Sequence, residues 1–269
     1  MRIKIPFSGK KSINRTKVQV QVYSATDIGL RRANNEVRFV SLEGKDSPGV
    51  ADAVMIVADG MGGQAHGEVA SEMAVEGIIR RLADQPKDKT LPTGGYAELL
   101  GQVFREVNAE IYLESQGDTY RGMGTTATAA VVTGTRVHIA HLGDSRAYLL
   151  RDGELSQLTR DHSWVVEIVE AGNLTLEQAR VHPNRNVITQ AMGINAEPAV
   201  QTKTLDLRDG DLLLLCSDGL HGLVGDDEIK ELLQSGKPEQ AIEDLIQRAK
   251  DLGGNDNITV VIGTVRRQG

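Results

Sequence analysis

The stretch Thr126–Leu158 reads TATAAVVTGTRVHIAHLGDSRAYLLRDGELSQL. It holds three short apolar runs, Thr126–Val132, Val137–Leu142 and Ala147–Leu150, separated by Gly134 and by Gly143-Asp144. Asp152-Gly153 then reads as a tight hairpin turn into Leu155–Leu158. Runs of this length, rich in aliphatic residues and broken by glycine, predict β-strands in quick succession.

Working outward, Val18, Val20 and Val22 alternate with polar residues, which predicts a half-exposed strand. Ala53–Ala58 is a continuous apolar run ending in Asp59-Gly60, as expected of a buried strand. Ala70, Ala74, Ile78 and Leu82 recur every four residues, with Val69 and Met73 beside them, and predict a helix. After a loop from Pro86 to Gly95, a second helical face carries Leu99, Leu100, Val103, Phe104, Val107 and Ile111. Downstream, Trp164–Ala171 and Leu176–Arg180 read as short helices, and His182–Asn186 reads as a polar loop. Leu212–Cys216 and Ile258–Ile262 read as buried strands, and Ile229–Leu233 and Ala241–Ala249 as helices. Strands and helices come in blocks rather than in alternation, which favours an α+β fold over a doubly wound parallel sheet. No linker divides the chain, so one domain over 18–266 is expected, preceded by an arm over 1–17.

A chain of 269 residues with 40% hydrophobic and 25% charged residues fits a soluble globular protein with a sizeable core. Aromatics at 3% leave an aliphatic core and argue against base-stacking platforms. A formal charge of −7 argues against nucleic-acid binding. The arm is the local exception: Arg2, Lys4, Lys10, Lys11, Arg15 and Lys17 stand there without an acid. It reads as a solvated tail or as a contact for an acidic partner or anionic lipid. Cys216 is the only cysteine, so no intrachain disulfide forms, and its place in an apolar run marks a buried small hydrophobe rather than a nucleophile. A reducing cytoplasm is the natural compartment. No apolar stretch approaches the ~18–20 residues that span a bilayer, and the N-terminus lacks the apolar core of a secretory signal.

The positions of the acids carry the chemistry. Asp59 follows the run at 53–58, Asp218 follows Leu212–Cys216 after one serine, Asp256 precedes Ile258–Ile262, and Asp144 stands beside Gly143 after Val137–Leu142. One Asp-Gly is an ordinary turn signal. Four aspartates at the ends of four core strands suggest convergence, where like charges would raise one another's pKa. A hard divalent cation relieves that conflict through all-oxygen ligation by carboxylate, carbonyl and water. On spacing alone, a metal centre and a set of solvated turn caps both remain open.

Seven strings narrow the choice: Thr26–Glu36 (TDIGLRRANNE), Val57–Gly63 (VADGMGG), Gly122–Thr126 (GMGTT), His141–Arg146 (HLGDSR), Leu158–Ser163 (LTRDHS), Ser217–Leu220 (SDGL) and Gly254–Thr259 (GNDNIT). In this order they resemble the type 2C metal-dependent protein phosphatases, especially the bacterial branch, over residues 20–265. The resemblance implies an α-β-β-α sandwich of two antiparallel sheets flanked by helices. It implies two Mn²⁺ or Mg²⁺ ions, with a third position in bacterial relatives. Carried over, Asp59 bridges two metals, the Gly60 carbonyl binds one, and Asp218 and Asp256 hold the second. Glu36 ligates directly or through water, and Asp144 with Asp218 supplies the third position. Arg32 grips the substrate phosphate, as its planar fork suits, and residues 163–190 form a flap. The implied reaction is metal-dependent hydrolysis of phosphoserine and phosphothreonine in proteins, by a monomeric enzyme opposing a bacterial-type Ser/Thr kinase. It needs no protein nucleophile, and no Ser/His/Asp or Cys/His motif is visible.

Two positions depart from the family. Val37 stands where an aspartate normally follows Asn-Glu, and valine accepts no hydrogen bond. A weakened metal site is therefore expected. Gln64 stands where bacterial members carry histidine, with His66 two positions on, either as an ordinary helix-start residue or as a proton donor. The competing function is a non-catalytic phosphoprotein-binding module.

Overall fold

The uninterrupted apolar runs become strands covered on both faces. A computed structural model of the chain describes residues 18–49, 51–61, 66–85 and 95–267; the arm at 1–17 lies outside them. In chain order the strands are β1 (Val18–Asp27), β2 (Val37–Glu43), β3 (Ala53–Met61), β4 (Gly124–Thr125), β5 (Ala127–Thr133), β6 (Arg136–Leu142), β7 (Arg146–Arg151), β8 (Glu154–Gln157), β9 (Gln201–Asp206), β10 (Leu212–Cys216) and β11 (Ile258–Arg267). The helices are α1 (Gly67–Ala83), α2 (Gly95–Ser115), α3 (Trp164–Glu170), α4 (Leu176–Arg180), α5 (Asp218–His221), α6 (Asp226–Gln234) and α7 (Pro238–Asp251).

Two antiparallel sheets result, ordered β1-β11-β10-β7-β8 and β2-β3-β5-β6-β9, with β4 paired to β3. The period-two alternation of side chains sorts the core into three layers. On β3, Ala53, Met55 and Val57 face the other sheet, where Leu213, Leu215, Val261 and Val265 meet them. Val54, Ile56 and Ala58 face α1 and α2, packing with Ala70, Ala74, Ile78, Phe104 and Val107. Leu214, Cys216, Val260 and Ile262 face α6 and α7. A strand buried on both faces has no polar alternation to display, which is why 53–58, 212–216 and 258–262 are continuously apolar. The observed α-β-β-α sandwich agrees with the α+β expectation.

Asp152 and Gly153 both take positive φ, 52° and 83°, and make the β7–β8 hairpin turn. Cys216 is fully buried, and burial pushes its thiol up to about 12, as an inert core group requires.

Leu215 is fully buried between the sheets. Leu215→Ala is expected to cost about 2–5 kcal/mol in urea unfolding. Leu113→Ala, on the exposed face of α2, is expected to stay within about 0.5 kcal/mol.

Candidate metal centre

Asp59 continues the inter-sheet face of β3 past Val57, so its side chain emerges where the apolar layer between the sheets ends. Its backbone is fixed by Thr126. The Asp59 N–H donates to Thr126 Oγ1 at 3.0 Å, and the Thr126 N–H donates to the Asp59 carbonyl at 2.8 Å. Val37 is its direct partner across the β2–β3 ladder. Gly60 follows under tight steric control: a Cβ there would lie 2.1 Å from the Gly67 carbonyl oxygen. The first turn of α1 therefore rests on the Gly60 backbone. A Cβ on Gly67 would approach Glu36 Oε2 to 3.0 Å, so the Glu36 carboxylate occupies the same corner.

Asp218, the first residue of α5, follows β10, and Asp256 precedes β11, its neighbour in the sheet. Ser217 joins their ends: its Oγ donates to the Asn257 carbonyl at 2.9 Å and accepts the Thr259 N–H at 3.0 Å. Asn257, 2% exposed, clamps the loop that carries Arg32 and Glu36. Its Nδ2 donates to the carbonyls of Ile28 (2.9 Å) and Asn34 (3.0 Å), and its Oδ1 accepts the Glu36 N–H at 2.9 Å. Arg32 reaches Asp256 Oδ2 through one N–H.

Asp144 sits on the β6–β7 turn, where Gly143 has φ 114° and leaves no room for a Cβ against Thr126. The Asp144 carbonyl accepts a hydrogen bond from His221 Nε2 at 2.9 Å. His162 locks Gly143 in both directions: its own N–H donates to the Gly143 carbonyl at 2.7 Å, and its Nδ1 accepts the Gly143 N–H at 3.1 Å. His141 contacts Thr128 through Nδ1 and donates from Nε2 to the Arg160 carbonyl. Burial lowers His141 and His221 to about 3, so both stay neutral and act as hydrogen-bonding posts.

The fold thus brings together all the candidate residues. Burial holds the Asp59 carboxyl well above the ordinary range, followed by the charges of Asp218, Asp256 and Asp144. Burial and then Asp218 raise Asp144 in the same way. Asp218 is pushed up to about 6 by burial and then by Asp256, while a hydrogen bond from Asp59 opposes the rise. Glu36 is raised by burial and by Glu68, with Asp256 contributing. The Arg32 guanidinium is held charged by its bond to Asp256, with Glu36 and Asp59 adding to the effect.

Asp218 Oδ1 is buried and has no hydrogen-bond partner among the described residues. An orphaned buried carboxylate oxygen is costly unless something positive stands against it. With four aspartates nearby and only oxygen donors on offer, the set suits a hard divalent cation. Among the described residues no three His, Cys, Asp or Glu side chains stand as a closed cage. The Arg32–Asp256 ion pair offsets part of the negative charge at the rim.

Three supporting residues had no assigned role in the sequence reading. Asn257 was visible only as a letter within a motif, Thr126 only as a threonine beside Gly-Thr, and His221 had no signal. Their roles rest on partners 67 to 229 residues away. His66 heads α1 in the left-handed region (φ 59°), edge-on to Tyr120, with its side chain 42% exposed. Gln64 lies outside the described residues.

Because folding raises the Asp218 pKa above its ordinary value of 3.8, the folded chain binds that proton more tightly than the unfolded chain does. The stability from this group is present below about pH 4 and is lost as pH rises through about 6. In chelator, Asp218→Asn is therefore expected to raise Tm at about pH 8, with the gain vanishing near pH 4. An equal gain at both pH values would mean that Asp218 is not ionised under strain.

Comparison with known proteins accords with this geometry. Residues 45–258 match the family described as Protein phosphatase 2C. The serine/threonine phosphatase Stp of Listeria monocytogenes is 43% identical over 242 residues, covering 88% of this chain and 92% of that protein. The phosphatase PstP of Mycobacterium tuberculosis is 40% identical over 93% of this chain, which spans 46% of its length. The Streptococcus agalactiae serine/threonine phosphatase structure superposes with a TM-score of 0.81 at 38% identity, covering 91% of this chain and 99% of that one. The catalytic domain of PstP in complex with two manganese ions superposes with a TM-score of 0.77 at 36% identity, covering 93% and 99%. A family match over most of the chain, relatives this similar and a shared sandwich agree, and the chain belongs to the protein phosphatase 2C family.

Proposed function

We propose that this chain is a metal-dependent protein phosphatase that hydrolyses phosphoserine and phosphothreonine in proteins. The observation that carries the reading is the gathering of Asp59, Asp144, Asp218 and Asp256 at one rim, with a buried Asp218 oxygen left unpartnered among the described residues. Asp59, the Gly60 carbonyl, Asp218 and Asp256 would hold two Mn²⁺ or Mg²⁺ ions, with Glu36 beside them. Asp144 and Asp218 would offer a third position. When bound, such ions supply a water nucleophile at neutral pH and offset charge on the phosphate.

The chain's own groups do the rest. Arg32 has five N–H donors, of which one is engaged by Asp256 among the described residues, so most of its fork remains for a phosphate. Asn257 and the Gly60–Gly67 contact fix the loop that aims Arg32 and Glu36. A phosphoester dianion approaching this acidic rim needs that cationic guide. Substrates would be phosphorylated proteins, a Ser/Thr kinase and its targets among them, and the enzyme would act as a cytoplasmic monomer. Among the described residues no helix is long and apolar enough to cross a membrane.

The test is hydrolysis of a phosphothreonine peptide across a Mn²⁺ titration. Turnover is expected to require the metal and to disappear in Asp59→Asn and Asp256→Asn. Arg32→Ala is expected to lower kcat/KM about 10–100-fold, the equivalent of one lost charge-assisted contact, while metal binding stays nearly intact. Full activity in both aspartate variants would overturn the ligand assignment.

Val37 favours a second reading, a phosphoprotein-binding module. It faces Asp59 directly across the ladder and is 3% exposed at the edge of the inter-sheet core. Val37→Asp would put a carboxylate beside Asp59. It is expected to tighten Mn²⁺ binding about 10–100-fold and to lower Tm in chelator through added repulsion. A wild type silent at every Mn²⁺ concentration, with turnover restored by Val37→Asp, would favour the binding module.

A further inference from the structure

Loop 28–32 runs from the end of β1 to Arg32 and carries an unusual surface. Leu30 is 60% exposed and Ile28 39%. Leu252, at the end of α7, is 38% exposed. Single exposed aliphatic residues are commonplace. These three belong to two segments locked together: the Leu30 N–H donates to the Gly254 carbonyl at 2.7 Å, and Asn257 Nδ2 donates to the Ile28 carbonyl at 2.9 Å. Gly29 has φ 78°, and a Cβ there would lie 2.2 Å from the Asp256 carbonyl oxygen, so the loop backbone lies directly on the strand end that bears Asp256. Leu30 lies over Gly254, where an added Cβ would meet its Cγ at 2.9 Å, and a loop held this way keeps its exposed leucine at the rim beside the segment that follows Leu252.

Charge adds a direction. Asp27, at the loop's base, is neutralised by Lys250 at 2.8 Å. Arg32 is paired with Asp256. Arg31 between them is exposed and makes no hydrogen bond or ion pair among the described residues. A free guanidinium beside a fixed aliphatic surface matches a peptide segment with an aliphatic and an acidic side chain.

We propose that Ile28, Leu30, Leu252 and Arg31 form a docking surface for the residues that flank the phosphorylated side chain, selecting phosphosites with an aliphatic and an acidic neighbour. The inference rests on the phosphatase reading and adds a substrate class to it. Arg31 and Leu30 are positioning residues: they hold the flanking chain and leave the reacting atoms to the carboxylate rim and Arg32.

The experiment uses full-length protein and four phosphothreonine peptides of one core sequence: the parent with Leu and Glu flanking, Leu→Ala, Glu→Gln and the double change. kcat/KM is measured with Mn²⁺, and binding of the same fluorescent peptides by anisotropy. Wild type is expected to favour the parent over the double change by about fivefold or more in both readouts, the scale of exposed charge and apolar contacts. Arg31→Glu is expected to abolish or invert the Glu/Gln preference, and Leu30→Ser to abolish the Leu/Ala preference. Leu30→Ser should keep p-nitrophenyl phosphate turnover within about twofold of wild type, because that substrate has no flanking chain, and Arg31→Glu is read through the ratio between the peptides, which a general loss of turnover does not move. Equal binding of all four peptides, or preferences untouched by both variants, would overturn the docking surface. Absence of turnover on every substrate, with the binding preference and its response to Arg31→Glu intact, would overturn the phosphatase reading and leave the docking surface standing.

Discussion

Mutual repulsion among carboxylates is the constraint around which this molecule is arranged. Asp59, Asp144, Asp218 and Asp256 would separate if their backbones allowed it, and long-range contacts hold those backbones in place. Thr126 holds Asp59, His162 and Thr126 restrain the Gly143 turn beneath Asp144, and Ser217 ties the Asp218 strand to Asn257. These restraints are hydrogen bonds between side chain and backbone, with close contacts, at the ends of two packed sheets. The strain at the rim is therefore carried by the core behind it, where Met55, Val57, Leu213, Leu215 and Val261 are fully buried.

The sheets supply more than support. Side-chain alternation continues the inter-sheet face of β3 from Met55 and Val57 to Asp59, so the environment changes from aliphatic to charged within one pleat. Immediately beside that boundary, Gly60 meets Gly67 so closely that neither has room for a side chain. Removing two Cβ atoms lets the start of α1 rest on the strand end, and Glu36 enters the same corner from β2's approach. Packing and site chemistry are thus settled by the same few residues.

That interplay explains what the sequence could disclose. The runs at 53–58, 212–216 and 258–262 were legible because two-sided burial leaves a continuous apolar string. The edges of the six-stranded sheet were not, whereas β1 and β8, the edges of the other sheet, showed as a valine alternation and as the far side of an Asp-Gly hairpin. β2 and β9 flank the six-stranded sheet, and β9 (QTKTLD) is mostly exposed, so it carries no apolar period. The aspartates were legible as strand-end acids, but their meeting depends on pairings such as β1 with β11, more than 230 residues apart. Asn257 shows the limit most clearly. Its clamp on Ile28, Asn34 and Glu36 follows from three-dimensional register, and no local pattern encodes it.

Position 37 sits where the apolar layer and the charged rim meet, and that placement sets two demands against each other. The side chain opposite Asp59 can extend the core by one residue or extend the rim by one acceptor. Valine does the former: at 3% exposure it removes nearly its whole surface from water, a contribution of about 1.5–3 kcal/mol. A carboxylate there would give up that burial and add a charge next to a group whose proton is already held tightly by burial and by Asp218. A cation at the rim would reverse the sign of the second effect and leave the first unchanged. The balance at position 37 therefore depends on how strongly the rim binds positive charge: the tighter the cation, the less a valine gains the chain.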